Sequence, residues 1–98
     1  MVIRTEAVQF KADQKLIDFI EKKFSKLEQF FDRITNVTVY MRLENSGQVK
    51  DKVVEVKMDV PGDVIFVKET NKTFEESIER ISDILKRKLI QYKERRRA

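Results

Sequence analysis

Lys86-Arg87-Lys88-Leu89-Ile90-Gln91-Tyr92-Lys93-Glu94-Arg95-Arg96-Arg97 is the part of this sequence with the most pronounced chemistry. Residues 84–98 hold seven Lys/Arg against one Glu, a local charge of +6 in a chain whose total is +4, so residues 1–83 sum to −2. The cationic excess is therefore concentrated on one segment, and that segment has a helical apolar rhythm. Closely spaced ammonium and guanidinium groups on a rigid element are the electrostatic footprint of a nucleic-acid binder.

Other chemistries are poorly provided for. The chain has no His, so the commonest general base and the commonest metal ligand are both missing. It has no Cys, which removes thiolate catalysis and any disulfide framework. Its two glycines, Gly47 and Gly62, each fall at an expected turn, so no glycine-rich phosphate loop is possible. The composition therefore points to a binding protein and not an enzyme, with no cofactor, metal or small-molecule substrate. No apolar run approaches the roughly 20 residues of a membrane span. Met1-Val2-Ile3-Arg4-Thr5-Glu6 enters strand-like residues directly, without signal-peptide anatomy, so a cytoplasmic location is expected.

The elements that must carry these charges follow from apolar spacing. Val2 to Phe10 alternates loosely and predicts a first strand. Asp13 is a plausible N-cap for a helix from about Gln14 to Phe31, with Leu16, Ile17, Ile20, Phe24, Leu27 and Phe31 on one face. Val37, Val39, Met41 and Leu43 alternate with Thr38, Tyr40, Arg42 and Glu44, the pattern of a half-buried strand. The polar stretch Asn45–Asp51 is expected to be a loop. Val54, Val56, Met58 and Val60 give a third strand, Pro61-Gly62 a tight turn, and Val64 to Glu69 a fourth strand. Thr73 and Glu76 form a capping box for the last helix, whose buried stripe is Phe74, Ile78, Ile81, Leu85, Leu89 and Tyr92.

Residues 1–98 thus read as a single α+β domain of order β-α-β-β-β-α, with residues 93–98 the part whose order is open. A four-stranded mixed sheet with both helices on one face buries every apolar stripe at once. The first strand-helix-strand unit makes strands one and two parallel. The other sheet face, carrying Tyr40, Arg42, Glu55, Lys57 and Asp59, is expected to be open to water.

Projected at about 100° per residue, the first helix gathers Lys15, Lys22, Lys26 and Arg33 on one flank with Lys23 nearby. Asp18, Glu21, Glu28 and Asp32 fall elsewhere. The last helix separates charge lengthwise, with Glu75, Glu76, Glu79 and Asp83 first and the seven cations after them. That order also complements the helix dipole, although the effect fades within a turn and the basic stretch spans about three. Adjacent helices would bring Lys22, Lys26 and Arg33 beside Arg80, Arg87, Lys88 and Arg95, lining a positive groove suited to phosphates. Phe19 and Phe30 are expected as edge core, and outward Tyr40 as surface packing.

The run from Ile17 to Asp32 (Ile17-Asp18-Phe19-Ile20-Glu21-Lys22-Lys23-Phe24-Ser25-Lys26-Leu27-Glu28-Gln29-Phe30-Phe31-Asp32) resembles the first helix of the ribosome hibernation-promoting factors. These are also called sigma-54 modulation or ribosome-associated inhibitor proteins. Val54 to Asp63 and Ile84 to Lys93 fit the same family, so the resemblance spans the chain in order. It implies binding of small-subunit ribosomal RNA in the messenger and transfer RNA channel, on the small subunit and intact ribosome, silencing translation in stationary phase or stress. Lys22, Lys23 and Lys26 match the family's basic positions in the first helix, and Lys86, Arg87, Lys88 and Lys93 those in the last. Lys15, Arg33, Arg80 and Arg95 come from the projection alone.

Two features depart from the family pattern. Many members open the last helix with Asp-Met-Tyr, where this chain has Thr73-Phe74-Glu75, so capping survives and any contact of that Tyr is lost. The sequence stops at Ala98, like the short members that have no second domain for pairing ribosomes. The isolated protein is expected to be a monomer. Two other readings stand beside this one: a regulatory domain that self-associates through its sheet, and a generic binder of structured RNA. Membrane-surface binding ranks last, because the apolar stripe of the last helix is needed for the core.

Overall fold

The computed structural model describes the backbone of residues 1–46 and 49–97, and the side chains of all of these except 45, 46, 49, 50 and 97. Strand β1 (Val2–Val8) precedes helix α1 (Gln14–Ser25), which passes into a 3₁₀ turn over Lys26–Gln29. Strands β2 (Asn36–Ser46), β3 (Val49–Val60) and β4 (Asp63–Asn71) follow, and helix α2 (Phe74–Arg97) ends the chain. The sheet order is β1-β2-β3-β4. β1 runs parallel to β2, and β3 is antiparallel to both of its neighbours. The α+β architecture anticipated from apolar spacing is the one observed.

One core is built from the inner sheet face (Val37, Val39, Met41, Val54, Val56, Met58, Ile65, Val67) and the helix stripes (Leu16, Ile20, Phe24, Ile78, Ile81, Leu85, Leu89). Both helices therefore lie on the same side of the sheet. Their starts are capped as the sequence suggests, with Asp13 Oδ1 accepting from the Leu16 N–H at 2.8 Å and Thr73 Oγ1 from the Glu76 N–H at 3.1 Å. Such caps are each worth about 1 kcal/mol.

Three boundaries differ from the sequence expectation, each for a local reason. β1 stops at Val8 because Gln9 takes φ +61°, a left-handed conformation that breaks the strand before Phe10. Phe10 then stacks on Phe74, with ring centres 5.1 Å apart. The first helix is α-helical only to Ser25 and not to Phe31. Leu27 and Phe30 follow Phe24 at three-residue intervals, the 3₁₀ repeat, and the Leu27 carbonyl accepts from both the Phe30 and Phe31 N–H groups. The polar Asn45–Asp51 segment is mostly strand: the β2–β3 ladder continues through Glu44↔Asp51, Asn45↔Lys50 and Ser46↔Val49. Backbone pairing needs no apolar side chains, so the ribbon outruns the core. The Gly47-Gln48 part of the expected turn lies outside the described residues.

The open face has its own order. Registered rows across it read Arg4–Thr38–Lys57–Phe66, Glu6–Tyr40–Glu55–Lys68 and Val8–Arg42–Val53–Thr70. Arg42 meets Glu55 at 2.9 Å and Lys68 approaches the same carboxylate at 3.9 Å, so positive and negative charges offset one another there. Val53 shares this outward direction yet is fully buried, between its registered neighbours Arg42 and Thr70.

Candidate nucleic-acid interface

The cations stand on the helical layer, and contacts between the helices fix how they are arranged. Lys23 of α1 reaches Glu79 of α2 at 3.2 Å. Further along, Lys86 lies over the Phe30 ring and Lys93 donates to the Phe30 carbonyl at 2.8 Å. Contacts that advance together along both segments mean that α1 and α2 run in the same direction. α1 is thus laid beside the acidic first half of α2, and the basic second half runs on past it.

This changes the expected groove. Lys15 and Lys22 share a groove with Glu75, and Lys23 pairs with Glu79, so the first part of α1 faces the acidic half of α2 and not Arg87, Lys88 and Arg95. Lys88 and Arg95 stand on the other flank of α2, where with Gln91 they border a groove beside β4. Lys86 and Lys93 hold the α1 side through Phe30. Arg87 is exposed on the helix back, and Arg80 there is 3.9 Å from Glu76. Lys15, Lys22, Lys26 and Arg33 are all exposed along α1 and the turn that follows it. The cations therefore stand along α1 and the turn after it and along the last three turns of α2, with Glu75 and Glu79 beside the first part of α1.

Phe30 is the member that composition alone did not single out. It is half-buried and anchors two of the cations, whereas Phe19 packs on the core as edge core should. The signal was available as spacing: Lys86 and Lys93 are seven residues apart and so share one helix flank. The end of α2 is pinned as well. The Tyr92 hydroxyl donates to the Pro61 carbonyl, the Tyr92 ring meets Phe31 edge-on at 5.4 Å, and the Arg96 guanidinium lies 5.2 Å from the Tyr92 ring centre. The basic helix end is therefore held against the β3–β4 turn.

Among the described residues no group of three or more acidic side chains is placed to hold a metal ion. No helix of the described residues is long and apolar enough to cross a membrane. What the surface offers is exposed cations, the groups that contact phosphates without reading sequence.

Residues 3–97 match the family model described as sigma 54 modulation protein / S30EA ribosomal protein. The chain belongs to this family. It is 33% identical to the ribosome hibernation promoting factor of Azotobacter vinelandii over 95 residues, covering 97% of this chain and 85% of that one. It is 30% identical to the Escherichia coli K12 ribosome hibernation promoting factor over 82 residues, 84% of this chain and 82% of that protein. In fold it is similar to a ribosomal subunit interface protein from Coxiella burnetii, with a TM-score of 0.83 and 19% identity over 95% of this chain and 98% of that one. The N-terminal domain of Thermus thermophilus Protein Y gives a TM-score of 0.75 with 22% identity, over 94% and 99% of the two chains. Members of this family are ribosome hibernation factors, which act by binding and not by catalysis.

Proposed function

We propose that this protein is a ribosome hibernation factor of the cytoplasm that binds small-subunit ribosomal RNA in the messenger and transfer RNA channel, idling ribosomes under stress. The observation that carries the reading is the placement of charge. The helical layer presents Lys15, Lys22, Lys26, Arg33, Arg87, Lys88 and Arg95 to solvent, while the opposite sheet face offsets Arg42 and Lys68 with Glu55. Family membership supplies the partner class, and the cationic layer supplies a means of holding it.

Binding of this kind draws chiefly on counterion release, so affinity falls steeply with salt and depends little on base sequence. Co-sedimentation across a salt series tests the reading. The protein should pellet with small subunits and intact ribosomes, but not with large subunits alone. Combined alanine substitution of Lys22, Lys26, Arg87 and Lys88 should weaken pelleting and flatten its salt dependence. Unchanged pelleting by a folded quadruple variant would remove those residues from the interface.

A further inference from the structure

The hibernation reading leaves one built feature unused: the outer edge of β4. Among the described residues no strand lies beyond β4. Exposed strand edges are normally blunted by charge, proline or a bulge, because free N–H and C=O groups invite another strand. Here the edge instead presents Val64 at 50% and Phe66 at 54% exposure, followed by a single cation, Lys68.

The ladder fixes which backbone groups are available. Val60 pairs with Asp63 across the two-residue Pro61-Gly62 turn, and pairing continues as Met58↔Ile65 and Val56↔Val67. Antiparallel alternation then turns the backbone groups of Val64, Phe66 and Lys68 away from β3. The Val64 N–H shows this directly, since it is taken at 2.7 Å by the Asp63 carboxylate instead of by β3. Phe66 and Lys68 are the next outward-facing residues.

On the helical side of this edge is a groove of about 310 Å³, with Lys88, Gln91 and Arg95 of α2 along one wall and Asp63 at the start of the β4 wall. A strand added to β4 would alternate its side chains between two surroundings. Those on the open-face side would meet Val64 and Phe66. Those on the helical side would meet Lys88 and Arg95.

We infer that the β4 edge and the Lys88–Arg95 flank of α2 form a docking groove for an extended acidic peptide of a partner protein, added as a fifth strand. Charge selects this occupant. A second copy of the chain paired edge to edge would bring two Lys88–Arg95 flanks together on one face, a like-charge juxtaposition. RNA would use the two cations but neither Phe66 nor the strand edge. The β1 edge is no equivalent, because its groove with α1 sets two acids, Asp18 and Glu21, against Lys22, whereas the β4 groove sets Lys88 and Arg95 against Asp63. The inference does not depend on the ribosome reading, although both use Lys88 and Arg95.

The probe is a short blocked peptide alternating aspartate and valine, titrated into the ¹⁵N-labelled full chain. Amide resonances of Phe66 and Lys68 should shift and gain exchange protection. N-methylation of the peptide amides along one edge should abolish binding, and K88E combined with R95E should weaken it roughly tenfold or more. Phe66→Thr, which keeps the strand but removes the ring, should weaken it several-fold while leaving ribosome pelleting unchanged. Equal binding of the N-methylated peptide, or of a lysine-valine version, would overturn strand addition and charge selection respectively. Peptide shifts confined to other elements, or none at all, would overturn the groove. Shifts of Phe66 with protein concentration alone would give the edge to a second copy, and protection of Phe66 by a ribosomal RNA fragment would give it to RNA.

Discussion

Lys86 carries its ammonium 4.6 Å from the centre of the Phe30 ring, bridging the end of the 3₁₀ turn after α1 to the basic end of α2. The Phe30 carbonyl accepts from Lys93, so Phe30 gathers two cations whose mutual repulsion would otherwise splay them. A double-mutant cycle between Phe30→Leu and Lys86→Ala should give a coupling of about 0.5–1 kcal/mol in urea denaturation. Leucine keeps the packing and loses the ring, so zero coupling would mean that Lys86 only lies near Phe30.

Tyr92 ties α2 to the β3–β4 turn through its hydroxyl and the Pro61 carbonyl. Tyr92→Phe leaves the ring packed against Phe31 but removes the donor, at about 1 kcal/mol. For a domain of this size that lowers Tm by roughly 4–8 °C. If the variant melts with the wild type, the hydroxyl is satisfied equally well by water.

Gly62 sits in the same turn with φ +76°, which an L side chain adopts only with strain, and a Cβ there would come within 3.4 Å of the Arg96 guanidinium. Gly62→Ala should therefore destabilise by about 1 kcal/mol or more, measured by the denaturation midpoint. A neutral result would show that the turn can relax to another type.

The sheet and both helices were legible because apolar residues keep one period within each element, as Val37, Val39 and Met41 do in β2. The failures share one origin. Periodicity reports which residues face the core, not where the backbone ladder or helix type ends. Leu27 and Phe31 still pack on the core through and beyond a 3₁₀ turn, so the apolar rhythm continued past the true end of α1 at Ser25. Asn45, Ser46, Val49 and Lys50 pair through the backbone ladder, which leaves no trace in side-chain polarity. The cations of the candidate site were legible one helix at a time. Their relative alignment was not, because it depends on α1 and α2 running in the same direction with Lys23 opposite Glu79.

That alignment has a consequence for binding. Glu79 holds Lys23 at 3.2 Å, and the pair is solvent-exposed enough that its own contribution to stability is about 0.5 kcal/mol or less. Its effect on a polyanion is larger in kind, because Glu79 withdraws one cation from the α1 cluster and adds a repulsive charge beside it. Glu79→Gln should therefore leave the melting temperature nearly unchanged while tightening ribosome binding and steepening its salt dependence by about one ion. Glu75→Gln, beside Lys15 and Lys22, should act the same way and add to it. Alanine at Glu76, which lies 3.9 Å from Arg80 on the helix back, is the control that should change binding least. If Glu79→Gln weakens binding instead, the Lys23–Glu79 pair is orienting the α1 cluster, and its acid belongs to the interface along with its lysine.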